Sequence, residues 1–255
     1  MNIHTKICFI ASSDKQAQQA LNGHLRHYEN YPLDQAEFIV VLGGDGFMLN
    51  TLVKTREWNL PVYGINCGTV GFLMNEYSQD GLVERLQQSL EQVINPLKME
   101  AVDKDGCTHT EFAINEVAVF RTGPQAVKLR IFCDGKVRME ELVCDGALVA
   151  TPAGSTAYNY SAHGPILPIG SDVLALTAMA AFRPRRWRGA LLSTSAQVEF
   201  EVLEPSKRMC MAEADGRSVR NVIKVKIAIE HNIKYRLRFD EGHGLEERLI
   251  NEQFS

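Results

Sequence analysis

Asp45 stands among glycines, in the run Gly43-Gly44-Asp45-Gly46. The run follows the apolar stretch Phe38-Ile39-Val40-Val41-Leu42 and precedes Phe47-Met48-Leu49, the pattern of a buried strand that turns sharply into a helix. Glycines leave the backbone N–H groups uncovered by any Cβ, so phosphate oxygens can approach them closely. A carboxylate in such a turn repels phosphate. It is left to hold a metal, take a proton or hydrogen-bond a hydroxyl, and phosphoryl transfer to a hydroxyl needs those parts. A second glycine loop, Asn66-Cys67-Gly68-Thr69-Val70-Gly71-Phe72-Leu73, follows another apolar run, Pro61-Val62-Tyr63-Gly64-Ile65. It is similar to a dinucleotide G-x-G-x-x-G with Asn in the first place. Ligands of open α/β sheets bind at the carboxyl ends of the strands, where both loops fall. Gly43, Gly44 and Gly68 are the candidate phosphate-binding positions. The alternative is a pair of ordinary strand-to-helix turns.

Two further constellations carry polar groups into apolar surroundings. Asn115-Glu116 precedes Val117-Ala118-Val119 and offers an amide and a carboxylate, both suited to sugar hydroxyls or a base edge; a solvated strand entrance is the plain alternative. The run Asp145-Gly146-Ala147-Leu148-Val149-Ala150-Thr151-Pro152-Ala153-Gly154-Ser155-Thr156-Ala157-Tyr158 reads as a buried strand ending in a turn of small residues. Ser155 and Thr156 can cap a helix or offer hydroxyls, and Ser161 can share a helix face with Tyr158. The surroundings of Ser155 do not form G-x-S-x-G, which argues against a nucleophile elbow. Arg183-Pro184-Arg185-Arg186-Trp187-Arg188 is a basic cluster, either a solvated or subunit-contacting loop or a phosphate contact. The seven histidines have no zinc spacing, and His163 follows the small-residue run as a structural or site-flanking residue.

These groups need a frame. Lys6 to Ala11, Phe38 to Leu42 and Pro61 to Ile65 read as strands. Ser13 with Gln16 forms a capping-box pattern before a helix carrying Ala17, Ala20, Leu21, Leu25 and Tyr28. A helix follows the glycine-aspartate turn, and another is expected from Asp80 to Ile94, stopped by Pro96. Strand–helix alternation predicts a parallel sheet. After Pro96 short strand-like runs dominate: Glu116 to Phe120, Ala126 to Cys133, Lys136 to Val143, Ala147 to Thr151, Gln197 to Leu203, Val222 to Ile229 and Tyr235 to Phe239. Asp134-Gly135 is a two-residue hairpin signal. Helical interruptions are expected near 156–162 and 172–182, and a helix over Leu245 to Phe254.

The chain has 255 residues and a net charge of −4, which gives no basic excess for nucleic acid or a membrane surface. No apolar stretch approaches the roughly 20 residues of a transmembrane helix. The N-terminus lacks the regions of a signal peptide. Its six cysteines are scattered without a C-x-x-C pair and read as free thiols, so a cytoplasmic protein is expected.

With its four segments in this order, Gly43–Gly46, Gly64–Leu73, Asn115–Val117 and Asp145–Tyr158, the chain resembles the NAD kinase family, of the bacterial type. The first turn alone also occurs in diacylglycerol and sphingosine kinases and resembles one in phosphofructokinases. The Asn-Glu pair and the Thr151–Tyr158 run are more particular to NAD kinases. The resemblance implies ATP-dependent transfer of phosphate to the 2′-hydroxyl of the adenosine ribose of NAD, giving NADP and ADP. It implies Asp45 as the base on that hydroxyl, with Gly46 beside the substrate. It implies NAD contacts from Asn115, Glu116, Asp145, Thr156, Ala157, Tyr158 and Ser161, with Ala180 lining the same pocket. ATP is the donor, a divalent metal, usually Mg²⁺, assists, and members are homodimers or homotetramers. The implied fold is α/β. A Rossmann-like parallel-sheet domain at 1–97 receives a returning tail at 240–255, and a β-rich, sandwich-like NAD-binding domain spans 98–239. The family run usually reads Thr-Pro-Thr or Thr-Pro-Ser where this chain has Thr151-Pro152-Ala153, and Val143 stands where many bacterial members carry a basic residue. Two other classes share features: a lipid kinase, which needs an amphipathic membrane-facing surface that the sequence lacks, and a nucleotide sensor that binds NAD without forming product.

Overall fold

The computed structural model describes residues 5–68, 71–242 and 244. In chain order, β1 (Ile7–Ala11), α1 (Lys15–His24), β2 (Phe38–Gly43), α2 (Asp45–Thr55), β3 (Pro61–Asn66), α3 (Leu82–Gln88) and β4 (Leu90–Ile94) come first. The strands β5 (Leu97–Asp103), β6 (Thr108–Ala113), β7 (Glu116–Arg121), β8 (Val127–Cys133), β9 (Lys136–Cys144) and β10 (Gly146–Ala150) follow. A 3₁₀ turn at Ala153–Thr156 leads into the single turn α4 (Tyr158–Ser161). Then come β11 (Val173–Met179), β12 (Gly189–Ser193), β13 (Val198–Val202), β14 (Cys210–Ala214), β15 (Arg217–Arg220), β16 (Val222–Ile229) and β17 (Tyr235–Phe239).

The described residues up to Ile94 and from Asn232 onward form one compact unit, built on a sheet in the order β1-β2-β3-β17-β4. β1, β2 and β3 run parallel, and β17 is parallel to β3. Ile39, Val40, Val41 and Leu42 are all fully buried, because a central parallel strand has both faces covered; the run is continuously apolar for that reason. The strand Tyr235–Phe239, expected with the β-rich half, instead sits between β3 and β4. Tyr63 Oη donates to Asp240 Oδ1 at 2.7 Å, Arg85 Nη2 pairs with Asp240 Oδ2 at 2.5 Å, and the Asp240 N–H donates to Asn75 Oδ1 at 2.9 Å. These contacts fasten the end of β17 to its own sheet and to α3.

Three other expectations are corrected. The helix over Asp80–Ile94 stops at Gln88, and Leu90–Ile94 is a strand antiparallel to β17. Its register is set across the sheet, where Glu91 pairs with Arg236 at 2.8 Å and Arg238 at 3.5 Å, while Leu90 and Val93 face solvent. The helical interruption at 172–182 is the strand β11, buried on both faces. α1 begins after Asp14 rather than through a box at Ser13, and makes no side-chain cap; Gln18 Nε2 donates instead to the Ser12 carbonyl at 2.7 Å. The helix expected over Leu245–Phe254 lies outside the described residues.

Asn95–His231 form the second unit, a sandwich of two antiparallel sheets in the orders β12-β11-β10-β7-β14-β15 and β6-β5-β16-β13-β8-β9. Alternation along β8 shows how it closes. Val127, Leu129, Ile131 and Cys133 point into one core with Val117, Val119, Val149, Leu176 and Phe200 from both sheets, and the residues between them face outward. Each such fully buried apolar side chain contributes ~1.5–3 kcal/mol. The Asp134-Gly135 hairpin forms as the sequence predicts, with φ of 54° and 71° at its two residues. β10 is buried on both faces. Its outer face and that of β11 are covered by a second core of Leu148, Ala150, Ala175 and Met179 with Leu167. The segment after β10 therefore lies folded back over the sheet, which is what places the small-residue turn.

Candidate active site

In the first unit, β2 ends at Gly43 and the extended Gly44 hands the chain to α2, with Asp45 in its first turn. A helix N-terminus favours a carboxylate there. Asp45 Oδ2 accepts from the Phe72 N–H at 2.5 Å and Oδ1 from the Leu73 N–H at 2.9 Å. The carboxylate thus bridges the two glycine loops. Gly71 permits this closure: a Cβ there would stand 2.6 Å from Met74 Cγ and 3.1 Å from Asp45 Oδ1. Gly44 and Gly46 differ. Among the described residues nothing lies within 4 Å of a Cβ placed on either, so their bareness keeps open space in front of the backbone. Gly43 is buried against Phe47, whose Cδ1 would be 3.0 Å from a Cβ, a packing role. The Gly68 N–H donates to Asn66 Oδ1 at 2.9 Å within its own loop.

In the second unit, the pairing of β7 with β10 sets Glu116 opposite Ala150 and Phe120 opposite Gly146. Asn115, Glu116 and the turn after β10 therefore meet at one end of the sheet. The Thr151 N–H donates to the Asn115 carbonyl at 2.9 Å, Thr151 Oγ1 donates to the Ile114 carbonyl at 2.6 Å, and the Gly154 N–H donates to Thr151 Oγ1 at 3.1 Å. A Cβ on Gly154 would collide with the Asn115 carbonyl, so the turn is fitted to the backbone of that residue. Ser155 spends its hydroxyl internally, donating to the Pro152 carbonyl at 2.7 Å and accepting from the Leu167 N–H at 3.0 Å. Thr156 and Ala157 are partly exposed and Tyr158 and Ser161 exposed, so all four are accessible.

Asp145 and Ala180 lie at the opposite end of the same sheet, next to Gly146 and Met179. Four strand positions separate that end from Glu116, ~14 Å at about 3.4 Å per residue. Asp145 Oδ1 accepts from Arg121 Nε at 2.5 Å, and Ala180 has a left-handed backbone with φ 47°. The fold therefore brings Asn115, Glu116, Thr156, Ala157, Tyr158 and Ser161 to one end and Asp145 and Ala180 to the other.

Glu116 is the most perturbed acid of the group. Burial, with a further push from the Asp215 and Glu213 carboxylates, raises its pKa to about 8 against an opposing hydrogen bond from the Tyr158 backbone. Among the described residues its buried Oε2 has no hydrogen-bond partner. Three residues here carry structure that the motifs did not flag. Asp215 accepts from the Ile114, Asn115 and Glu116 N–H groups at 2.6, 3.1 and 3.3 Å; the signal available was Asp215-Gly216, a hairpin pair like Asp134-Gly135. Arg121 holds Asp145. Asn159 is fully buried and anchors α4, donating to the Ser155 and Pro165 carbonyls at 3.1 and 2.9 Å and accepting from Thr177 Oγ1 at 2.6 Å. Two cavities of about 460 and 390 Å³ flank β12, and none of the expected site residues lines them. His163 and Arg188, from the weaker signals, line the smaller one. Among the described residues no group of three or more His, Cys, Asp or Glu side chains is arranged to hold a metal.

The model of the ATP-NAD kinase N-terminal domain matches residues 10–97, and that of the ATP-NAD kinase C-terminal domain matches residues 114–237. The chain belongs to the NAD kinase family. An NAD kinase from Cereibacter sphaeroides is 63% identical over 249 residues, 98% of each chain. The fold is shared with yeast NADH kinase complexed with NADH, at a TM-score of 0.84 and 19% identity over 100% of this chain and 88% of that one. It is shared too with an NAD kinase from Archaeoglobus fulgidus in complex with ATP, at a TM-score of 0.77 and 24% identity over 97% and 98%. Both NAD kinase domain types are thus present in this chain, and the glycine-aspartate turn lies in the first and the Asn-Glu pair in the second.

Proposed function

We infer that this chain is an NAD kinase, which transfers the γ-phosphate of ATP to the 2′-hydroxyl of the adenosine ribose of NAD and releases NADP and ADP. The observation that carries the reading is the match of both kinase domain types over 10–97 and 114–237, each containing its own candidate motif. Asp45 is the proposed base. Phosphoryl transfer has a loose transition state, so a carboxylate needs only to orient the hydroxyl and accept its proton late. The N–H groups of Phe72 and Leu73 hold the carboxylate for that role. Gly44 and Gly46 leave room for substrate at the turn, and Gly43 and Gly68 shape the two loops that take phosphate. Asn115 and Glu116 offer an amide and a carboxyl to the dinucleotide, Tyr158 offers an exposed ring for stacking, and Thr156, Ala157 and Ser161 complete that surface.

A divalent cation, Mg²⁺, is proposed to arrive with ATP and to be held by phosphate oxygens and water, which suits a hard cation. Among the described residues no group of three or more His, Cys, Asp or Glu side chains forms a cage for it. A homodimer or homotetramer is proposed as the working form. Val137, Phe182, Leu191 and Met209 are exposed apolar side chains of the second unit, and a second copy that covered them would also supply an Asp145–Ala180 end to a neighbour's dinucleotide. No described helix is long and apolar enough to cross a membrane. The six cysteines are free thiols, as suits a reducing compartment, and on that ground we place the enzyme in the cytoplasm. Incubation with ATP, Mg²⁺ and NAD, followed by an NADP-specific dehydrogenase, tests the activity. ATP-dependent NADP is expected, and its absence from a folded sample would reject the reading.

A further inference from the structure

Ile114 and Asn115 lie in the bend between β6 and β7, outside any strand ladder, so their N–H groups need acceptors from elsewhere. A single partly buried carboxylate supplies them. Asp215 sits in the two-residue turn between β14 and β15, at φ 44°, and accepts from three successive N–H groups, Ile114, Asn115 and Glu116. The turn is tied in place: the Asp215 N–H donates to the Glu116 carbonyl at 3.4 Å, and Arg217 binds Glu111 at 3.1 Å and the Phe112 carbonyl. The other side of the same backbone is held by Thr151 and Gly154. The peptide planes from which the Asn115 amide and the Glu116 carboxyl project are therefore fixed from two directions, and the Asp215 charge lies beside Glu116.

We propose that Asp215 is a positioning residue for NAD: it clamps the 114–116 backbone so that the Asn115 amide and the Glu116 carboxyl meet the dinucleotide's hydroxyls, and it sets a second carboxyl beside that of Glu116. This deepens the NAD kinase reading and rests on it. Burial disfavours the ionisation of Glu116 most, the Asp215 and Glu213 carboxyl groups of the β14–β15 hairpin add to that, and the backbone N–H of Tyr158 in α4 opposes it. Burial raises the pKa of Asp215 itself, against the three backbone N–H groups and Arg217, which favour its carboxylate form. Ribose hydroxyls are donors, so binding favours the ionised Glu116 carboxylate. NAD affinity of the wild-type enzyme then rises with pH through the upper neutral range.

Asp215→Asn tests this. The variant keeps one acceptor, sets an NH₂ against the backbone donors and removes the charge. We expect KM for NAD to rise roughly tenfold, a 1.4 kcal/mol equivalent, with KM for ATP within about twofold. The midpoint of the pH dependence of NAD affinity should move about one unit to lower pH, as expected on removing a like charge. A merely structural role would leave that midpoint in place. A folded variant with unchanged KM for NAD, or with the midpoint unmoved, overturns the proposal. If the variant does not fold, hydrogen exchange on the wild-type protein decides: the amides of 114–116 are expected to exchange as slowly as strand amides, and exchange at exposed-loop rates overturns the clamp. Failure of the kinase reading is distinguishable, because it is seen as wild-type protein that forms no NADP, whatever the exchange result.

Discussion

Asp45 and Glu116 are both carboxyl groups, and their surroundings assign them different work. Asp45 is partly exposed at a helix N-terminus and held by two backbone N–H groups. A carboxylate is a weak base for an alcohol in water, but general-base assistance of a correctly placed group is worth ~10²–10⁴-fold. Asp45→Asn should therefore lower kcat by roughly 100-fold or more while calorimetry shows NAD affinity retained and the melting curve stays cooperative. Glu116 is partly buried, with Oε2 shut off from solvent, and its raised pKa makes folding stability depend on pH in a fixed sense. The folded protein binds more protons than the unfolded chain between about 4.5 and about 8, so this group's contribution is fully present below the lower value and is lost as pH rises towards the upper one. Glu116→Gln removes that loss. Its melting temperature should exceed that of wild type by a few degrees at pH 9 and by much less at pH 5. An equal difference at both values would contradict the assigned environment.

At the scale of elements, the small-residue turn after β10 acts as one fitted piece. Gly154 lies against the Asn115 carbonyl with no room for a methyl group, so Gly154→Ala must displace either the turn or the Asn-Glu pair. We expect NAD binding to weaken at least about tenfold, with overpacking costing about 1–3 kcal/mol of stability; isothermal titration and denaturant unfolding measure the two. Much of this piece is legible in the sequence, because glycines, prolines and hydroxyl residues mark turns through local sterics. The strand that carries it is legible too, as a short apolar run. What the sequence leaves dark depends on distant partners. Leu90–Ile94 looks like the end of a helix until Arg236 and Arg238 arrive beside Glu91. Val173–Met179 has the alanines and leucines of a helix, and only its burial between β10 and β12 makes it a strand. Asp215 is a turn residue by its neighbours, and its three backbone donors are about a hundred positions away.

At the scale of the whole chain, the last described strand completes the first sheet. Tyr235, Leu237 and Phe239 are almost fully buried between β3 and β4. At ~1.5–3 kcal/mol each, their loss is comparable with the whole margin of a typical domain, and it also leaves the edges of β3 and β4 unpaired. A chain ending at His231 should lose the cooperative unfolding of the first unit and precipitate. A soluble product with native circular dichroism would contradict the role given to β17. Light scattering on the full chain is expected to give two or four copies, and a stable monomer would remove the proposed partner contribution at Asp145 and Ala180. The central claim concerns where a phosphate goes. With ATP labelled in its γ-phosphate, Mg²⁺ and NAD, the label should appear on the adenosine 2′-oxygen of NADP in equal amount to the ADP formed. Label released as inorganic phosphate, with no labelled dinucleotide, would contradict it.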